Sequence, residues 1–206
     1  MSRIRIIILA KEPLPGLAKT RLIPALGKKD AAQLADRLLQ HTKTQALAAN
    51  LGPVELCVTP DKNADYWQPW HKTPRLELTQ QTEGNLGMRL AEAAKKGLSY
   101  GCPVMLIGTD CPLLDAAYLQ TMAEQLTHYD ACICPVNDGG YSLLGLKQFN
   151  PSLFNSIPWS TNKVAALTTE RLRQLNWQYY ESKPLWDIDE PQDLPLLKNF
   201  PELLQA

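Results

Sequence analysis

Ile8-Leu9-Ala10-Lys11-Glu12-Pro13-Leu14-Pro15-Gly16-Leu17-Ala18-Lys19-Thr20-Arg21-Leu22 decides how the rest of the chain is read. The apolar run Ile4 to Leu9 is a buried strand. It empties into a loop stiffened by Pro13 and Pro15 and loosened by Gly16. Lys11, Lys19 and Arg21 follow on that loop. In an open α/β sheet, ligands bind outside the carboxyl ends of the strands. Three cations on the first such loop therefore point to an anionic ligand, a nucleotide phosphate above all. Lys19 offers a point charge and Arg21 a bidentate fork, on one side of the chain where the segment is extended. A solvated basic loop is the alternative.

The loop is not a Walker loop. That motif wraps phosphates in backbone amides and needs Gly-x-x-x-x-Gly-Lys-Ser/Thr. Here Lys11 stands at the first glycine position, Ala18 precedes the lysine, and Pro13 lacks an amide proton. The first turn also lacks the Gly-x-Gly-x-x-Gly of a dinucleotide site.

Outward from this loop, strand-like and helix-like runs alternate. Asp30 is placed to cap a helix carrying Ala31, Leu34, Ala35, Leu38 and Thr42. Strands follow at Val54–Thr59, Leu76–Thr79 and Pro103–Ile107, with helices at Asn63–Trp70, Leu86–Tyr100 and from Asp115. Ala131–Val136 and Tyr141–Leu146 are strands joined by the hairpin turn Asn137-Asp138-Gly139-Gly140. A helix over 161–175, a strand at Trp177–Glu181 and a short helix at Pro191–Lys198 complete the chain. The expected fold is a single α/β domain with a mainly parallel mixed sheet flanked by helices and a late antiparallel element.

Bulk properties narrow the function classes. Lys+Arg and Asp+Glu both number 21 in 206 residues, so nucleic acid and acidic membrane surfaces are not expected partners. The five cysteines form no Cys-x-x-Cys, which suits reduced thiols in a cytoplasmic protein. Cys132 and Cys134 share a strand face and are expected as small buried hydrophobes. Three histidines leave little material for zinc. No run approaches the length of a membrane span, and no export signal opens the chain.

Two acidic stretches answer the basic loop. Val104-Met105-Leu106-Ile107-Gly108-Thr109-Asp110-Cys111-Pro112 delivers Asp110 to the carboxyl edge of the sheet. A carboxylate there suits Mg²⁺, which takes one or two protein carboxylates and completes its octahedron with water and phosphate. Capping the next helix is the alternative, for which Asp115 is better placed. In Trp186-Asp187-Ile188-Asp189-Glu190-Pro191, the two aspartates face one way if the segment is extended. Like charges so close call for a cation between them. Asp189 is otherwise placed to start the helix that opens at Pro191. Trp186 and Trp159 suit core packing, and Ser160 suits a helix cap.

With these blocks together, the sequence resembles the small GT-A-fold nucleotide-diphospho-sugar transferases. In particular it resembles the bacterial radical-SAM/selenodomain-associated transferase 1 family, also described as arsenosugar-biosynthesis glycosyltransferases. More distantly it is similar to 2-phospholactate and molybdenum-cofactor guanylyltransferases. The shared blocks are Ala10-Lys11 with Pro13, Pro15-Gly16 and Lys19-Thr20-Arg21-Leu22; Gly84-Asn85-Leu86-Gly87 with Arg89-Leu90; and Gly108-Thr109-Asp110-Cys111-Pro112. They continue through Asp138-Gly139-Gly140-Tyr141, Trp159-Ser160-Thr161, and Asp187-Ile188-Asp189 with Pro191 and Asp193-Leu194.

The resemblance implies a nucleotide-binding half over about 1–112 and an acceptor half over about 113–206. Ala10, Lys11, Gly16, Lys19, Arg21, Gly84, Asn85, Gly87 and Arg89 would bind the nucleotide. Asp138, Gly139, Gly140, Tyr141, Trp159, Ser160 and Thr161 would face the acceptor. Asp110, Asp187 and Asp189 would hold Mg²⁺ or Mn²⁺. Asn85 stands where relatives commonly carry aspartate, and Asn137 precedes Asp138 where many carry an acid.

The implied activity is a Mg²⁺-dependent transfer from a nucleotide-activated donor, with Lys19, Arg21 and Asp110 as catalytic residues. Nucleotidyl transfer from a nucleoside triphosphate to a phosphorylated acceptor is favoured by the lone Asp110, which lacks a local Asp-x-Asp. Glycosyl transfer from a nucleotide-diphospho-sugar is the alternative, and a non-catalytic nucleotide-binding protein is the third. The expected geometry sets Lys19 and Arg21 across a cleft from the aspartates.

Overall fold

The computed structural model describes residues 3–204. Seven strands make one sheet: β1 (Arg5–Lys11), β2 (Val54–Thr59), β3 (Leu76–Gln80), β4 (Val104–Ile107), β5 (Ala131–Pro135), β6 (Tyr141–Leu146) and β7 (Tyr179–Glu181). Their order is β3-β2-β1-β4-β6-β5-β7. β1 lies parallel between β2 and β4, β3 is parallel to β2, and β7 is parallel to β5. β6 runs against both of its neighbours, β4 and β5. This is the expected mainly parallel α/β sheet with a late antiparallel element.

Helices cover both faces, which is why the central strands are apolar without alternation. Ile6, Ile8, Met105, Cys132 and Cys134 pack beneath α1 (Ile23–Ala48) and α3 (Ala116–His128), through Leu39, Leu119 and Met122. Ile7, Leu106, Ile133 and Leu144 pack beneath α2 (Leu86–Leu98) and α4 (Val164–Gln174), through Leu90, Ala94 and Leu172. Successive strand residues point to opposite faces, so one buried strand feeds two cores. All five cysteines are free thiols, and Cys132 and Cys134 share a face as expected.

Several boundaries differ from the sequence reading. α1 starts at Ile23 because Pro24 suits a first helical turn. Gly27, at φ 81° and ψ 164°, then breaks it, and Asp30 sits exposed within the turn that follows rather than ahead of it. The segment Asp65–Lys72 is a 3-10 helix around Pro69. α4 starts only at Val164, and Ser160 lies ahead of it in a left-handed conformation without capping it. Asp115 does cap α3, its Oδ1 accepting the Tyr118 amide at 2.7 Å.

The last segment is a strap. A 3-10 helix (Pro191–Asn199) and α5 (Pro201–Leu204) fold back across α1. Ile188, Leu197 and Leu203 bury themselves with Leu22, Leu34 and Leu38. Arg37 Nε donates to the Leu203 carbonyl at 2.8 Å, and Trp186 packs edge-on against Phe200. Among the described residues, no helix is long and apolar enough to cross a membrane.

Candidate active site

The carboxyl ends of β1 and β4 open into a cavity of about 510 Å³. Because β6 is reversed, its first residues, Tyr141 and Ser142, reach the same edge, so the cavity has a wall from each half of the chain. From the first half come Lys11, Lys19, Arg21 and Asp110. From the second come Asp138, Gly140, Tyr141, Trp159, Ser160, Thr161, Asp187 and Asp189.

Lys19 is the centre of the cationic side. Its side chain is 5% exposed and its Nζ lies 2.5 Å from Asp110 Oδ1 and 3.3 Å from Asp189 Oδ1. It also donates to the Ile188 carbonyl. Its backbone is left-handed at φ 45°, a conformation that costs a non-glycine residue about 1 kcal/mol and is held by these contacts. Burial opposes its charge, but Asp110 and then Asp189 outweigh that, and its pKa lies above the ordinary lysine value. Arg21 Nη1 pairs with Asp189 Oδ2 at 2.9 Å. Lys19 and Arg21 therefore touch the aspartates directly rather than facing them across open space. Lys11 Nζ donates to the Leu17 carbonyl at 3.0 Å and closes its loop.

The aspartates divide into two groups. Asp189 is taken by Lys19 and Arg21. It does not cap the 3-10 helix that follows. Asp193 does that work, its Oδ2 accepting the amides of Asp189 at 3.0 Å and Glu190 at 2.7 Å. Asp187 faces other carboxylates. Burial first, then Asp138, Asp110 and Asp189, push its carboxyl up to about 6. The Ile188 amide donates to the Asp110 carbonyl at 2.8 Å, which ties the two acidic stretches together.

Among the described residues, no group of three or more His, Cys, Asp or Glu side chains forms a ready metal cage. A pair of carboxylates with one held up in pKa by its like-charged neighbours is nevertheless a donor set that a divalent cation would relieve. It matches the small number of protein ligands that Mg²⁺ takes. Asp110 and Asp187 fit that cation better than Asp189: Lys19 takes one oxygen of Asp110, whereas Lys19 and Arg21 take both oxygens of Asp189.

The second wall is aromatic and polar. Trp159 donates its indole N–H to the Phe154 carbonyl at 3.3 Å, and Tyr141 meets it edge-on at 6.4 Å between centroids. Gly87 makes room for it, since a Cβ there would lie 2.1 Å from the indole nitrogen. Asp138 is fixed by the hairpin turn, its Oδ1 accepting the Gly140 amide at 2.7 Å. Gly139 packs on the loop before α4. A Cβ there would lie 2.2 Å from the Asn162 carbonyl oxygen.

Other expected nucleotide-binding residues lie outside this cavity. Asn85 caps α2, accepting the Met88 amide at 3.0 Å, and Arg89 folds back onto the Gly84 carbonyl at 3.0 Å. Gly84, Gly87, Gly16 and Ala10 are not among the lining residues. The Ala10 carbonyl is engaged by Gln81, whose buried amide also reaches the Cys57 carbonyl at 2.8 Å. Sequence reading missed Gln81, for which no pattern speaks. It named Asp193 within a shared block but gave it no role, although Glu190-Pro191-Gln192-Asp193 has the spacing of a capping pair.

Residues 28–161 match the profile of a bacterial family described as "Uncharacterized protein conserved in bacteria (DUF2064)". No curated protein matches the chain. Among solved structures, a protein from Desulfovibrio desulfuricans G20, named provisionally as a nucleotide-diphospho-sugar transferase, is 28% identical. That match has a TM-score of 0.84 over 100% of this chain and 98% of that one. The 4-diphosphocytidyl-2C-methyl-D-erythritol synthase of Anaerococcus prevotii DSM 20548 shares the fold at 10% identity and TM-score 0.62, over 98% and 99% of the two chains. A CMP:2-keto-3-deoxy-manno-octonic acid synthetase, solved with CTP, shares it at 12% identity and TM-score 0.53, over 99% and 100%.

Proposed function

Since the chain belongs to the bacterial DUF2064 family, and its whole length matches a protein named for nucleotide-diphospho-sugar transfer, we propose that it is a transferase using a nucleotide-activated donor with a divalent cation. One observation carries the reading. A single cavity brings the cationic first loop and four aspartates to the ligand edge of a parallel sheet.

In this reading the donor's diphosphate lies against the first loop. Arg21 and Lys11 are exposed and present their charge to it, Arg21 from its pair with Asp189 and Lys11 from the Leu17 carbonyl, while Lys19 stays seated between Asp110 and Asp189. Asp189 orients Lys19 and Arg21 rather than holding metal. Asp110 and Asp187 would hold Mg²⁺, which supplies Lewis-acid charge neutralisation at the diphosphate. The acceptor enters along Asp138, Tyr141, Trp159 and Thr161. Such a site works by positioning and electrostatics, so it needs no Ser or Cys nucleophile. The buried thiol of Cys111 agrees with that role division, since burial pushes its pKa up to about 12.

Nucleotidyl transfer from a nucleoside triphosphate is the second reading, favoured by the absence of an Asp-x-Asp at Asp110. A thermal-shift panel of nucleoside triphosphates and nucleotide sugars, with Mg²⁺ and with a chelator, tests both. Stabilisation by one class, dependent on metal and lost in Asp110→Ala, is expected and names the chemistry. Equal stabilisation in the chelator, unchanged in the variant, would overturn the site.

A further inference from the structure

The two walls of the cavity differ in charge. Its lining cations are Lys11, Lys19 and Arg21, all on the first loop. Every charged residue that the second half contributes to the lining is an aspartate: Asp138, Asp187 and Asp189. Lys163, two residues beyond Thr161, is exposed and does not line the cavity. Asp189 is neutralised by Lys19 and Arg21, and Asp187 is one of the two carboxylates assigned to the divalent cation, which leaves Asp138 as the uncompensated charge that a ligand on this wall would meet.

The rest of that wall is aromatic and polar but uncharged, with Ser142, Ser160 and Thr161 beside Tyr141 and Trp159. Trp159 is held by its bond to the Phe154 carbonyl and by the edge of Tyr141, with Val164 beside it and Leu86 and Leu90 of α2 adding apolar surface to the same cavity. A pinned indole stacks well on an apolar ring or aliphatic face, and it attracts a cation. Its N–H is already donated to the Phe154 carbonyl, so it offers an anion no donor, and the neighbouring Asp138 carboxylate repels one.

We propose that the acceptor carries no negative charge where it meets Trp159 and Asp138, and is a neutral or cationic hydroxyl compound rather than a phosphate ester. This rests on the reading of the cavity as a donor-and-acceptor site. It reverses the phosphorylated acceptor that the lone Asp110 suggests from sequence. Charge thereby favours the donor's phosphates at the cationic first loop and the acceptor beside Asp138.

Matched probe pairs test the assignment: glycerol and glycerol 3-phosphate, ribose and ribose 5-phosphate, glucose and glucose 6-phosphate, choline and phosphocholine. Each is titrated into the full-length protein with Mg²⁺ and the nucleotide selected by thermal shift. The readout is the tryptophan fluorescence that disappears in Trp159→Phe. Unphosphorylated members are expected to perturb Trp159 at concentrations at least tenfold lower than their phosphate partners. Asp138→Asn, whose amide oxygen can still accept the Gly140 N–H, is expected to narrow that gap. Tighter or equal binding of the phosphate partners, or no effect on Trp159 from any pair, would overturn the proposal. The nucleotide shift in the same samples separates the two readings. If it persists, only the acceptor assignment falls, and if it is absent, the transferase reading falls first.

Discussion

Lys19 keeps its charge in a nearly dry place because two carboxylates and a carbonyl meet it there. Lys19→Met would leave Asp110 and Asp189 facing each other without that cation, both still partly hydrated. A loss of about 2 kcal/mol of folding stability is expected, in the range for charge-assisted bonds, and urea unfolding measures it. Asp110→Asn keeps the cavity's shape and removes one charge. Turnover on the donor class selected by thermal shift should fall on the order of 10²- to 10³-fold, as for loss of one electrostatic stabiliser. Asp187 predicts a pH effect. Its carboxyl is raised to about 6 in the fold, so between roughly pH 4 and 6 the native state holds more protons than the unfolded chain. In metal-free protein, stability should therefore fall as pH rises through that window. Asp187→Asn should lose this slope, and melting temperatures from pH 4 to 7 would show whether the two curves part.

At the scale of elements, the start of α2 and the loop carrying Trp159 are fitted to each other through Gly87. Gly87→Ala raises helix propensity by up to about 1 kcal/mol. It also drives a methyl into the indole and toward the Phe154 carbonyl. Net destabilisation of about 1–3 kcal/mol is expected, with a shifted tryptophan emission. A more stable protein with unchanged emission would show that the loop gives way freely. Strand and helix identities were legible because the central strands are continuously apolar and the helices are periodic. Asp115 was legible as a cap for the same local reason. The partner of Asp189 was not. Its local context offers both a metal and a cap, and only the fold shows Asp193 capping while Lys19 and Arg21, well over a hundred residues away in sequence, take Asp189. Trp159 and Gly87 were both visible as blocks, but their contact lies between segments that no spacing relates.

Across the whole molecule, the far half of the sheet is tied by charge as well as by apolar packing. Arg5 on β1 reaches Glu55 on β2 at 3.1 Å and Glu77 on β3 at 2.6 Å, and Thr79 donates to Glu55 at 2.6 Å. Arg5 and Glu55 are buried. Removing one partner of such a pair strands the other, so Arg5→Met should cost about 3–5 kcal/mol in chemical unfolding. A doubly apolar Arg5→Met/Glu55→Leu variant should recover much of that loss. None of this network was legible at first sight, because Arg5 and Glu55 sit inside runs that otherwise read as plain strands.

The strap over α1 also sets an order of events. Lys19 meets its partner 170 residues later in the chain, so the cationic grip closes only after a very long loop has been drawn shut. Contacts of such separation form late. A growing chain that has made β1 to β6 but not yet Ile188 can hold most of its sheet while Lys19 still lacks the Ile188 carbonyl and Asp189. The seating of Lys19, and with it the proposed nucleotide site, thus waits on residues 188 and 189, however early the strands around it are made.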